Sequence, residues 1–245
     1  MILNPFERMI ARRYLLPGRS EAFIALVAGI SVVVVMLSVA MLVIVMSVMN
    51  GFRGELLDRI VGLNGHAIIQ AYGGRLDDWQ TILERTRKTE GVVSASPLIE
   101  QPLLATAEGR VEGIVVRGNT ADDIAALADK TIMGNLSDVR ANAGNVAIGE
   151  QLAVNLGAGV GSTITIINPA GRSTPFGTVP RQIGYRVAAV FATGVYDFDK
   201  AFVIMPIADA QTLLLTGDTI GMIEVVTENP DRVEEILAPV AQSLS

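Results

Sequence analysis

Cysteine is absent and His66 is the only histidine in the 245 residues. A thiolate nucleophile, a histidine-based triad and a His/Cys metal set therefore cannot be assembled from this chain. His66 opens a short apolar run, residues 66–71, with strand character, and a structural role there outweighs that of a general base. The acidic pairs Asp77 with Asp78, Asp122 with Asp123 and Glu234 with Glu235 are the remaining chemistry-bearing groups. Paired carboxylates can hold a cation or share acid–base work. Each of these pairs, however, opens or lines a segment of helical periodicity, where acidic side chains favour the positive end of the helix or a solvated face. Residues 157–163, GAGVGST, have the glycines of a phosphate loop but no lysine, and they precede a strand pattern where phosphate cradling needs a helix N-terminus. They read as a tight turn. No catalytic, metal or cofactor site follows from these residues, and the chain is expected not to be an enzyme in itself.

What the chain has instead is an apolar run. From Ala22 to Met49 there is no charged residue, a stretch of 28 positions, where about 20 suffice to cross a bilayer. A cleavable signal has an apolar core of only about 7–15 residues, so this segment is expected to be an uncleaved transmembrane helix over 21–50. Arg8, Arg12, Arg13 and Arg19 precede it against Glu7 and Glu21, whereas the charges just after it balance. By the positive-inside bias the N-terminus is cytoplasmic and the remainder is exported. Residues 1–20 are expected to form an amphipathic segment on the membrane surface, started by Asn4-Pro5, with Phe6, Met9, Ile10 and Tyr14 on one face. Beyond Met49 the chain holds 15 basic and 23 acidic residues. Such a balance argues against nucleic acid as a partner.

The elements that follow have mixed texture. Helical spacing continues through Phe52, Leu56 and Ile60 as an amphipathic stalk to about residue 62. Then come a strand at 66–71, a helix at 76–89, strands at 92–107 and 110–117 joined by Glu108-Gly109, and a helix at 120–128. From Gly144 short β-like runs at 145–148, 162–167, 185–191 and 201–205 are separated by Gly, Pro and Asn, with one helix at 149–156. A helix at 207–215, a strand at 221–227 and a helix at 231–244 close the chain. The fold class is α+β: one N-terminal transmembrane helix, an α/β part over 51–143, a β-rich inserted subdomain over 144–205, and a return to the first part over 206–245.

Three segments carry a family resemblance. They are Ser47-Val48-Met49-Asn50-Gly51-Phe52 with Glu55-Leu56, Gly149-Glu150-Gln151-Leu152-Ala153 with Leu156-Gly157, and the loop Thr174-Pro175-Phe176-Gly177-Thr178-Val179-Pro180-Arg181-Gln182. With them the chain resembles the LolC/LolE family, permease subunits of the ABC transporter that releases lipoproteins from the bacterial inner membrane. The family continues into three further transmembrane helices, so the chain is expected to be an N-terminal portion. The exported domain resembles the MacB-type core, with a porter-like α/β part and a sabre-like insert. Where a family member has a basic residue after the glutamine, this chain has Ile183.

The resemblance implies partners rather than chemistry. They are a cytoplasmic LolD-like ABC ATPase, a second permease subunit in a homo- or heterodimer, lipoprotein substrates in membrane lipid, and a periplasmic LolA-like chaperone captured by the hook loop, residues 174–182. From the residues alone, Pro175, Gly177 and Pro180 shape a protruding hairpin that leaves Phe176 and Val179 facing water. The 28 apolar residues reach about 42 Å against a hydrocarbon core of about 30 Å. The overshoot suggests that Val45, Met46, Met49 and Phe52 line a lipoprotein groove, Met being adaptable to varied shapes. Two other readings of the same pattern are a MacB/FtsX-type permease acting on another periplasmic partner, and a membrane-anchored periplasmic binding domain.

Overall fold

A computed structural model of the chain describes residues 4–7, 9–10, 22–61, 65–71, 73–174 and 177–244. Two compact units are present, Met1–Ile60 and Val61–Ser245. In the first, residues 5–7 and 9–10 are helical and leave Phe6, Met9 and Ile10 exposed. The Asn4 N–H donates to the Glu7 carboxylate at 3.0 Å, which ties down the helix start. Arg8, Arg12, Arg13 and Tyr14 of the expected amphipathic segment lie outside the described residues.

Helix α1, Ala22–Val61, runs unbroken for 40 residues. Its Ala25–Phe52 portion has a mean hydropathy of 3.0, long and apolar enough to cross a membrane. The Ser31 and Ser38 hydroxyls donate to the carbonyls of Val27 and Val34 at 2.9 and 2.8 Å. Each hydroxyl is thereby satisfied within the helix, as hydrocarbon requires. Gly51 and Gly54 do not interrupt it.

The second unit is α+β, as expected. Its elements are β1 (Ala67–Ile69), α2 (Trp79–Arg87), β2 (Val92–Ala107), β3 (Arg110–Asn119), α3 (Ala121–Ala125), β4 (Thr131–Gly134), β5 (Asn145–Gly149), α4 (Glu150–Leu156), β6 (Thr163–Thr174), β7 (Gly177–Phe191), α5 (Tyr196–Ala201), β8 (Phe202–Pro206), α6 (Ile207–Leu214), β9 (Met222–Thr227) and α7 (Val233–Leu244). The strands join in the order β1-β9-β2-β3-β8-β5-β7-β4, and β6 bridges β7 back to β2. Six of them, β2, β3, β8, β5, β7 and β6, therefore close into a ring.

Strand β2 holds the arrangement together, because its first half pairs with β9 (Val92 to Leu98) and its second half with β6 (Leu104 to Thr106), while β3 covers the other edge from Ile99 to Ala107. The turn between β2 and β3 is two residues, Glu108 and Gly109, both at positive φ (50° and 77°). That is the hairpin turn whose twist matches the strands. It sets Ala107 and Arg110 as a hydrogen-bonded pair, so odd-numbered residues of β2 bond toward β3 and even-numbered ones toward β9 and β6.

The two prolines of β2 obey this alternation. Pro97 would offer its missing N–H toward β3 before β3 pairing begins, and Pro102 toward the interval between β9 and β6. Proline survives inside a 16-residue strand where the lost donor has no partner to lose.

The strands of the stretch 144–205 hydrogen-bond directly to those before it: β6 to β2 and β8 to β3. Strand β5 lies between β7 and β8, with Val146, Ala147 and Ile148 all fully buried, a continuous apolar run coated on both faces. On one face Val146 and Ile148 join the main core with Leu152, Leu156, Ile164, Ile166 and Val203. On the other, Ala147 meets Ile124, Leu136, Phe191 and Phe202 under α3.

Candidate functional site

His66 and one member of each acidic pair make structural contacts. The Thr227 N–H donates to His66 Nδ1 at 3.0 Å, and the Thr227 hydroxyl stands 3.1 Å from the same nitrogen, so the imidazole fastens the start of β1 to the end of β9. Asp78 accepts the Thr81 hydroxyl at 2.8 Å. Asp123 accepts those of Thr120 and Ser96 at 2.6 and 3.1 Å, while Thr120 caps α3 by accepting the Asp123 N–H. Glu235 takes the Arg232 guanidinium at 2.8 Å. Among the described residues no group of three His, Cys, Asp or Glu gathers that could hold a metal. The glycine loop behaves as a turn: Gly157 ends α4 at φ 68° and Gly161 has φ 92° before β6.

The loop read as a hook is the outer part of a long β6–β7 hairpin. Its strands are longer than the sequence pattern suggests, because β6 continues to Thr174 and β7 begins at Gly177. Pairing runs from Thr163 with Arg186 to Asn168 with Arg181, breaks, and resumes from Arg172 with Val179 to Thr174 with Gly177. At the break three residues, Pro169, Ala170 and Gly171, oppose the single Pro180. Neither proline can donate to the ladder, and the Asn168 side chain fills in by accepting the Ala170 N–H at 3.0 Å. The bulge divides the hairpin into a base that belongs to the ring and an outer arm.

Of the nine residues expected in the hook, Thr174 ends β6, Gly177 opens β7 at φ 118°, and Thr178 pairs with Ser173. Val179 is 57% exposed and Pro180 is exposed, while Gln182 is exposed opposite Ile167. Pro175 and Phe176 lie outside the described residues. Arg181 is half-buried, and its Nε is shielded from solvent without a hydrogen-bond partner. The expected groove residues Val45, Met46, Met49 and Phe52 are 49–62% exposed on α1. Val45, Met49 and Phe52 fall on one side of it by their helical spacing.

Charge sets the hairpin apart. Between Gln151 and Tyr196 the chain has no acidic residue and three arginines, Arg172, Arg181 and Arg186, on a domain that is otherwise acidic. This asymmetry was readable from the sequence as a charge-pattern signal. Beneath the hairpin base, Tyr185 is buried and its hydroxyl stands 3.5 Å from the Asp209 carbonyl oxygen. Burial, with the Asp209 carboxylate nearby, pushes the phenol up to about 12, partly opposed by Arg181. Burial also raises the Asp209 carboxyl above its ordinary value, against the Asn142 N–H that it accepts at 3.1 Å.

A second buried charge crosses three strands. Arg117 on β3 is 5% exposed and lies between Glu100 on β2 (3.5 Å) and Glu224 on β9 (3.3 Å), with its guanidinium 5.4 Å from the Phe202 ring centre. Glu224 also accepts the Gly65 N–H at 2.6 Å. This network was not read from the sequence, since nothing in the spacing of the three residues brings them together.

The fold is a helix long and apolar enough to cross a membrane ahead of an α+β unit in which six strands close into a ring and two of them, β6 and β7, run on as a long hairpin. The chain belongs to the MacB-like periplasmic core domain family, whose profile matches residues 28–243. It is similar to the lipoprotein-releasing system transmembrane protein LolC of Neisseria meningitidis serogroup B, at 28% identity over 95% of this chain and 57% of that protein. It is similar also to the lipoprotein-releasing system transmembrane protein LolE of Haemophilus influenzae, at 25% identity over 93% of this chain and 56% of that one. The LolC/LolE resemblance carried by the three motifs is thus borne out along nearly the whole chain. The chain spans little more than half the length of these curated relatives. The periplasmic region of MacB from Actinobacillus actinomycetemcomitans matches with TM-score 0.48 and 16% identity, covering 75% of this chain and 86% of that one.

Proposed function

We propose that the chain belongs to a permease subunit of a lipoprotein-releasing ABC transporter. The N-terminus lies in the cytoplasm, α1 crosses the inner membrane, and the domain beyond it is periplasmic. A LolD-like ATPase supplies the energy from the cytoplasmic side, and a second permease subunit completes the path. Val45, Met46, Met49 and Phe52 contribute to the groove that receives acyl chains. Lipoprotein then passes to a LolA-like chaperone held by the hook, Thr174 to Gln182.

The observation that carries this reading is the similarity to LolC over nine tenths of the chain or more. The projecting hairpin supports it: an arm held in a fixed shape by a proline-flanked bulge, with Val179 exposed, has the features of an interaction anchor. The test is a titration of the detergent-solubilised chain with a LolA-like chaperone. Phe176→Ala and Val179→Ser are each expected to weaken binding by about 2 kcal/mol, roughly thirtyfold, with unchanged melting. Equal affinity in both variants would remove the hook assignment. A large fall in melting would mean that the side chain is core. Protease added to spheroplasts is expected to digest the part beyond residue 61; protection of that part would reverse the orientation.

A further inference from the structure

Helix α3 belongs to an excursion from the sheet that leaves after Asn119, the last residue of β3, and returns at Thr131, the first of β4. Its return runs through a short 3₁₀ turn, Ala128–Lys130. The two ends of the excursion, Asn119 and Lys130, line one cavity of about 180 Å³, together with Arg117, Asp123, Phe191 and Phe202 among others. A cavity of about 150 Å³ holds a six-carbon ring, so this space suits a molecule of about six non-hydrogen atoms.

Some of the polar groups at the cavity are already satisfied. Arg117 lies between Glu100 and Glu224, and the Thr193 hydroxyl donates to Asp199 at 2.8 Å. Three groups are not. The Asn119 Oδ1 is shielded from solvent and has no hydrogen-bond partner among the described residues. The half-buried Lys130 makes no ion pair among them. Asp123 is held by the Thr120 and Ser96 hydroxyls, which bond its oxygens without cancelling its charge. One cation and one anion thus line the same cavity without neutralising each other, beside an acceptor whose burial without a donor costs free energy.

We propose that this cavity binds the zwitterion of a short aliphatic amino acid. The carboxylate answers Lys130, the ammonium answers Asn119 Oδ1 on the side of Asp123, and the carbon body lies against Phe191 and Phe202. Bound there, the molecule joins both ends of the excursion and holds α3 to the sheet. The site is separate from the outer hairpin arm and does not depend on what that arm binds.

The test is a calorimetric titration of the full chain in detergent micelles with L-alanine, with propionate, which lacks the ammonium, and with ethylamine, which lacks the carboxylate. L-alanine is expected to bind with a Kd of about 1 mM. Propionate and ethylamine are each expected to bind at least about tenfold more weakly, since either leaves a polar group of the site unmet. Lys130→Gln and Asn119→Ala are each expected to weaken L-alanine roughly tenfold, with wild-type melting of the unliganded chain. If Asn119→Ala melts low, the Lys130→Gln result decides. No heat from L-alanine, equal affinity for propionate, or wild-type affinity in Lys130→Gln would overturn the proposal. A hook that fails to bind chaperone leaves this titration untouched.

Discussion

Gly171 lies against Val179 with no room for a side chain: a Cβ at Gly171 would overlap the Val179 carbonyl oxygen and stand 2.6 Å from the Arg181 nitrogen. The close approach of the two strands across the bulge rests on that missing methyl. Gly171→Ala is expected to push the arm off its base, costing about 1–3 kcal/mol at the bulge. Hydrogen exchange should quicken at Arg172 to Thr174 and Gly177 to Val179. It should stay as in wild type at Thr163 to Ile167, which belong to the ring.

Arg117 is expected to be the most costly single charge to remove. Arg117→Met leaves Glu224, whose side chain is 18% exposed, without its cation. A loss of about 3 kcal/mol, or roughly 6–12 °C in the thermal midpoint, is expected. The double variant Arg117→Met with Glu224→Gln should recover part of it, since the more buried of the two carboxylates is then neutral and only Glu100, 35% exposed, is left without the guanidinium. Melting curves of the single and double variants check this.

Thr216 should respond in the opposite direction. Its hydroxyl is buried without a hydrogen-bond partner, at the turn after α6. Thr216→Val keeps the shape and removes the unmet group, so stability should hold or rise by up to about 1 kcal/mol. A denaturant midpoint below wild type would contradict this.

The Tyr185 and Asp209 pair sets two pH windows. Tyr185 holds its proton more tightly folded, at about 12 against an ordinary 10.0. The stability this contributes is fully present below about pH 10 and is lost as pH rises through about 12. The Asp209 carboxyl is likewise raised when folded. Its contribution is present below the ordinary carboxylate value and is lost as pH rises through the raised one. Tyr185→Phe should remove the alkaline slope, and Asp209→Asn the acidic one. Tyrosinate absorbance and melts across pH measure both.

The strands β2 and β3 were legible almost to the residue, because β-branched and apolar runs flank an unmistakable two-residue turn at Glu108-Gly109. The ends of β6 and β7 were not. Pro169, Gly171, Pro175, Gly177 and Pro180 read as breaks in a one-dimensional pattern, while in space most of them fall at a bulge and a turn within one hairpin. Strand β4 and helix α5 escaped because four residues ending in Gly134, and six residues holding Asp197, Asp199 and Lys200, are too short and too polar to show a period. The turn-forming character of the outer β6–β7 hairpin was legible as proline and glycine chemistry. The closing of the ring through β6 was not, because it depends on which strands pair across long separations.

That long-range pairing governs how the domain is made. Strand β1 at Ala67 finds its partner in Val225, and β2 at Ser96 finds Glu224. During synthesis the first strand waits for almost the entire domain to emerge before β9 is available to pair with it, and the first half of β2 waits with it. A topology so dominated by distant contacts folds slowly and exposes sticky strand edges on the way. Chains truncated before Met222 are therefore expected to be degraded or to aggregate, even though the ring-forming segments are all present.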